Sequence, residues 1–123
     1  MLCVLQIVGR SLETGIANQL TVPFYRKEVS DDGREQLFYD VADASSRTEL
    51  MRQIKQFIAE NREGFAYALQ HPGEVEAPNL DVGIIMDGPP VKGATFDGEL
   101  IAMLAEFGIT VSVSAYQASP REE

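Results

Sequence analysis

"VPFYRKEVSDDGREQLFYDVAD", residues 22–43, contains the strongest turn signal in the chain. Asp32-Gly33 stands between two strand-like segments and supplies the positive-φ residues that a tight hairpin turn requires. Pro23 excludes helix on the first side, so 22–29 reads as a strand whose proline suits an edge or a first position. The return strand, 35–43, places Leu37, Tyr39 and Val41 on one face and Phe38 and Asp40 on the other. A hairpin in the middle of a chain whose other strands are interspersed with helices points to α+β, with a largely antiparallel or mixed sheet.

The elements around the hairpin include helices. "LCVLQIVG" (2–9) is apolar on both alternations, as expected for a strand covered on both faces and central in its sheet. In 11–20, Leu12, Ile16 and Leu20 recur every four residues and predict a short helix that Gly15 weakens. Ser46 and Glu49 form a capping-box pattern ahead of Leu50, Ile54, Phe57 and Ile58, a stripe that continues through Phe65 and Leu69. His71-Pro72-Gly73 ends this long helix, and "LDVGIIMD" (80–87) is the next strand. Asp97 is a natural N-cap, Phe96 can staple onto Ile101, and Gly108 stands where a helix end favours positive φ. Between them Leu100, Ile101, Leu104 and Phe107 make an apolar stripe. "ITVSVSAYQ" (109–117) alternates, with Ile109, Val111, Val113 and Ala115 inward and Thr110, Ser112, Ser114 and Tyr116 outward. The order β-α-β-β-α-β-α-β predicts one α+β domain over 1–117, with a mixed or mostly antiparallel sheet and helices on one face. Residues 118–123 are expected to fray.

Composition narrows the function. The 123 residues are 45% apolar and 24% charged, ordinary for a globular domain, and no apolar run approaches the ~20 residues of a membrane span. The N-terminal stretch lacks the basic region and small-residue cleavage site of a secretory signal, and Cys3 is the only cysteine, so a reducing cytoplasm is the expected compartment. The net charge of −9 is unevenly spread: residues 1–63 hold ten acids and eight bases, residues 64–123 nine acids and only Lys92 and Arg121. Such a field repels nucleic acid and anionic membranes and attracts basic partners.

No catalytic set emerges. Gly88 to Thr95 has a phosphate-loop spacing, but Ala94 follows its last glycine where a lysine is needed, and Pro89 and Pro90 have no N–H to offer. That stretch reads as a strand-to-helix connection. His71 is the only histidine and, with a single cysteine, leaves no zinc ligand set; it reads as an exposed turn residue. Cys3 in a buried strand reads as an inert thiol with a raised pKa. The carboxylate pairs Asp31/Asp32, Glu74/Glu76 and Asp97/Glu99 each have a structural explanation in a turn, a loop or a helix N-terminus. The hydroxyl row ending on Tyr116 reads as a solvated sheet face or as a contact surface with one aromatic anchor.

"LETGIANQL" (12–20) leading into Val22-Pro23, then a hairpin, a long helix, a strand and "FDGELIAMLAEFGITVSVSAYQ" (96–117) is similar to an uncharacterised bacterial family, the domain of unknown function numbered forty-two seventy-nine. The resemblance implies a small bacterial cytoplasmic protein of a kind suspected of neutralising toxins, and it carries no catalytic residues across. Residues and resemblance together predict a non-enzymatic, cofactor-free, immunity-type inhibitor that binds a basic protein, such as a toxin. The expected contacts are Glu74, Glu76, Asp81, Asp87, Asp97 and Glu99, with Tyr116 as anchor. Two alternatives stand beside it. One is an enzyme acting on a small molecule, or using a divalent metal, through a carboxylate pair in 73–99; the other is a phage-encoded acidic inhibitor of a nucleic-acid-binding host system.

Overall fold

A computed structural model describes residues 1–86 and 95–117. Asp87, most of the glycine loop and the tail 118–123 lie outside the described residues. The hairpin closes through three residues. Gly33 N–H donates to the Ser30 carbonyl (3.0 Å) and Ser30 N–H to the Arg34 carbonyl (2.8 Å), with Gly33 at φ +85°. A loop of this length needs one left-handed residue, so only Gly33 takes that conformation, and the expectation for Asp32 is corrected. Asp32 instead accepts from the Arg34 N–H (3.1 Å) and the Ser30 hydroxyl.

The hairpin strands are β2 (Arg26–Val29) and β3 (Glu35–Asp43); β1 is Leu2–Gly9, β4 Asn79–Met86 and β5 Thr110–Gln117. The first hairpin strand is shorter than predicted, because the ladder begins with Tyr25 N–H to the Phe38 carbonyl (2.9 Å), past Pro23, which has no N–H. The sheet order is β2-β3-β1-β4-β5, with every neighbouring pair antiparallel except β4–β5. The first strand is therefore central, as expected, yet among the described residues it is covered on one face only. Cys3, Leu5 and Ile7 are buried under the helices while Val4, Gln6 and Val8 stay partly accessible. Cys3 faces Ala42 and Val4 faces Asp40, so a bulge leaves Val41 without an opposite residue. Ala42, opposite Cys3, is packed against the core beside Val41, and both are partly buried.

The helical layer consists of α1 (Arg47–Glu60), α2 (Arg62–Gln70) and α3 (Gly98–Glu106), plus a single 3-10 turn at Ile16–Gln19. Ser46 caps α1 by accepting from Glu49 N–H (3.2 Å), but the Glu49 carboxylate binds Arg52 and Gln53 on the helix surface and does not reach back to close a capping box. Those donors hold the Glu49 carboxyl down at about 2. Asp97 caps α3 through Leu100 N–H (2.9 Å), and Gly108 ends it at φ +63°. Leu100, Leu104 and Phe107 are buried, but Ile101 is not part of that stripe; it remains 54% exposed.

The long helix predicted from 46 to 70 breaks at Asn61, the one buried polar residue among those described. Its inward side chain sets the phase of α2, so that Gly64, Phe65 and Ala68 face the core and Leu69, expected there, is exposed. Phe65 joins the helices by ring contacts to Phe57 (6.3 Å) and Phe107 (5.9 Å), pairs of the kind that add about 1 kcal/mol each beyond their burial.

Under this layer Tyr39 is fully buried against Phe24, and no described residue hydrogen-bonds its hydroxyl. Burial alone pushes its pKa to about 12. Tyr39→Phe removes an unsatisfied polar group without changing the ring, so it should stabilise the fold by about 1 kcal/mol, read as a higher midpoint in urea. A loss of stability would show that the hydroxyl has a partner in solution.

Candidate functional site

The face of the sheet away from the helices has no covering layer among the described residues. Register places Arg26, Phe38, Gln6, Asn79 and Thr110 in one row across it, and Asp40, Val4, Asp81 and Ser112 in the next. At the margins Tyr25, Leu2 and Tyr116 are about half exposed. The outward hydroxyls donate to side chains of β4: Thr110 to Asn79 Oδ1 (2.9 Å), Ser112 to the same oxygen (3.2 Å) and Ser114 to Asp81 Oδ1 (3.2 Å). They form an ordered polar strip, with their protons used and their lone pairs left outward. Beside them the Tyr116 ring leans over Gly83, where a Cβ would lie 3.1 Å from Cε2. The missing side chain at Gly83 lets an exposed aromatic lie flat on the sheet, which limits the rotamer freedom it would lose on binding.

Charge on this face is one-sided. Arg26 is paired with Glu28 and sits 5.2 Å above the Phe38 ring. No described cation pairs with Asp40 or Asp81.

The acids proposed from sequence do not share one surface. Glu74 and Glu76 lie on the loop that follows α2 and pairs with the end of β1, through the Gly9–Val75 bridge. Glu76 is salt-bridged to Arg34. Asp97 and Glu99 sit on the helical side, where Lys55 Nζ reaches Asp97 at 2.6 Å and Glu99 at 3.7 Å. Lys55 and the Leu100 N–H together hold the Asp97 carboxyl below its usual range. Glu106 binds Arg62 (3.1 Å). The fold thus sets cations of the first half against acids of the second, and the charge asymmetry along the chain is partly cancelled in space. Of the expected contacts, register places Asp81 and Tyr116 on the uncovered face, and Asp87 lies outside the described residues.

A cluster that sequence reasoning missed surrounds Glu74. Its two oxygens accept from the Tyr67 hydroxyl at 3.1 and 3.0 Å, and the Tyr67 ring stacks on His71 at 3.9 Å. Burial, and then the Glu74 carboxylate, raise the Tyr67 pKa. His71 is therefore half-buried and held, not an exposed turn residue; its Nδ1 lies 2.8 Å from the Tyr67 carbonyl, which accepts. The i, i+4 spacing of Tyr67 and His71 was the available signal. Glu74 Oε1 lies so near the Gly15 backbone that a Cβ there would fall 1.9 Å away, so the chain itself fills that side of the cluster. Cys3 is buried, and burial, with Asp81 adding to it, pushes its thiol to about 12, as its strand position implied.

Among the described residues no group of three or more His, Cys, Asp or Glu converges to hold a metal ion, and no helix is long and apolar enough to cross a membrane. No protein-family model, curated protein or solved structure matches the chain.

Proposed function

We propose that this chain is a non-catalytic binding domain of the immunity type, which occludes a basic protein, such as a toxin, with the uncovered face of its sheet. The observation that supports this most is the juxtaposition there of a pre-positioned aromatic, Tyr116 over Gly83, with Asp81 and Asp40, which have no described cation. An arginine or lysine of the partner would meet the carboxylates while Tyr25 and Tyr116 supply rigid contact area, the combination that concentrates binding energy in few residues. Asp97, Glu99 and Glu76 act within the fold, as partners of Lys55 and Arg34. The net charge of −9 speeds encounter with any cationic partner, whichever face it finally occupies.

The test is co-purification from the native host with wild type and variants side by side. Wild type should retain a stoichiometric basic protein that salt weakens. Tyr116→Ala and Asp81→Asn should each weaken that complex about tenfold or more, while Glu99→Gln on the helical side leaves it unchanged. Equal retention by all of these variants, or no stoichiometric basic partner, would refute the reading.

A further inference from the structure

The two edges of the sheet are built differently. One, β2, is four residues long and carries Arg26, Lys27 and Glu28, the short charged design that keeps strand edges apart. The other, β5, runs eight residues, Thr-Val-Ser-Val-Ser-Ala-Tyr-Gln, with no charge and no proline. It is paired with β4 on one side only among the described residues. Val113 points to the helical side, as expected, yet is 55% exposed because the edge is not overlaid by α3. We infer that β5 pairs antiparallel with β5 of a second copy of this chain, joining two sheets into one of ten strands.

The strand is complementary to itself. A two-fold axis through Val113 sets Val113 opposite Val113, Val111 opposite Ala115, Ser112 opposite Ser114 and Thr110 opposite Tyr116. Each pair lies on one face, none opposes like charges, and β-branched and aromatic cross-strand pairs are the favourable kind. The helical side agrees. On α3, Leu100 and Leu104 face the sheet, while Glu99 and Glu106 reach toward Lys55 of α1 and Arg62 of α2. Ile101, about 100° further round the helix, therefore falls on the flank away from α1, the β5 side. Ile101 and Val113 are 54% and 55% exposed, so both the helix flank and the strand edge offer apolar surface to a second copy. Two bodies of charge −9 repel one another, so a contact between copies belongs on the strand that carries no charge.

This association needs no other partner and is independent of the binding proposed above. Salt separates the two, since screening weakens an acidic face bound to a basic protein but strengthens contact between like-charged copies. Light scattering on the full chain over a concentration series should show a mass of twice 13.5 kDa, favoured at higher salt. Val113→Lys sets two lysines face to face and should weaken the dimer at least tenfold, while Val29→Lys on the β2 edge leaves it unchanged. As a second probe, Val113→Cys places two thiols directly opposite at about 4.5–5.5 Å between Cα atoms, within reach of a disulfide. Oxidation should then give a covalent dimer, with Val111→Cys the out-of-register control and native Cys3 buried. A monomer at all concentrations and both salt levels overturns the inference. So does a dimer that Val113→Lys does not weaken, or one that Val113→Cys cannot link.

Discussion

Gly9→Ala should destabilise the protein by about 3 kcal/mol, a large share of the 5–15 kcal/mol typical of a domain. An added Cβ at this buried position would lie 1.9 Å from the Glu74 carbonyl oxygen and 3.0 Å from its carbon. Both are backbone atoms that cannot rotate away. The same carbonyl accepts the Arg10 N–H (2.9 Å), and two residues later Glu76 N–H donates to the Val8 carbonyl (2.9 Å). Relieving the clash must lengthen one or both of these bonds and lift the 71–78 loop from the end of β1. Gly73→Ala, in the same loop with nothing within 4 Å of its would-be Cβ, is the control and should be near neutral. Denaturant unfolding gives the difference, and faster hydrogen exchange at the Arg10 and Glu76 amides would locate it. A cost below about 1 kcal/mol would mean that the loop yields freely.

Gly9 also marks where sequence reading stops. Read alone, it was the last letter of an apolar strand; the carbonyl it accommodates is 65 positions away. Local devices were legible because each is decided within a few residues: the Gly33 turn, the Ser46 and Asp97 caps, the Gly108 helix end and the outward hydroxyls of β5. The element order followed from them, and with it the α+β class. What failed depended on distant partners. The bulge opposite the Cys3–Val4 step had no signal in the sequence, and Lys55 and Arg34 drew in acids assigned to a partner. Of the candidate site, Tyr116 was visible as the end of an alternating strand. The space that Gly83 makes for its ring was not, because parallel register sets Gly83 opposite Ser114, one step along the same face from Tyr116.

The same dependence on a distant partner makes Asn61 the position where a single polar group matters most. Its Nδ2 donates to the Phe57 carbonyl (2.9 Å), and its Oδ1 accepts from both the N–H (2.8 Å) and the hydroxyl (3.0 Å) of Thr21, tying the end of the 3-10 segment to the helix break. At 1% exposure water cannot replace these bonds readily, so Asn61→Ala should cost about 2–3 kcal/mol, chiefly by stranding the Thr21 N–H. Asn61→Asp should cost more at neutral pH, and in a way that identifies the cause. The carboxylate still accepts from Thr21 but turns a negative oxygen toward the Phe57 carbonyl, and burial disfavours its charge. Its folded pKa then stands above its unfolded value, so the penalty is full at neutral pH. The penalty shrinks as pH falls through the folded pKa and the protonated acid regains a donor for Phe57. The native carboxyls behave oppositely: Glu49 and Asp97 are held below their usual range, so their contributions are lost on acidification. Unfolding free energies of Asn61→Asp and wild type, compared from roughly pH 7 down to pH 4, should therefore converge. A constant difference would show that the aspartate has escaped to solvent and that the Asn61–Thr21 tie does not hold the helix break.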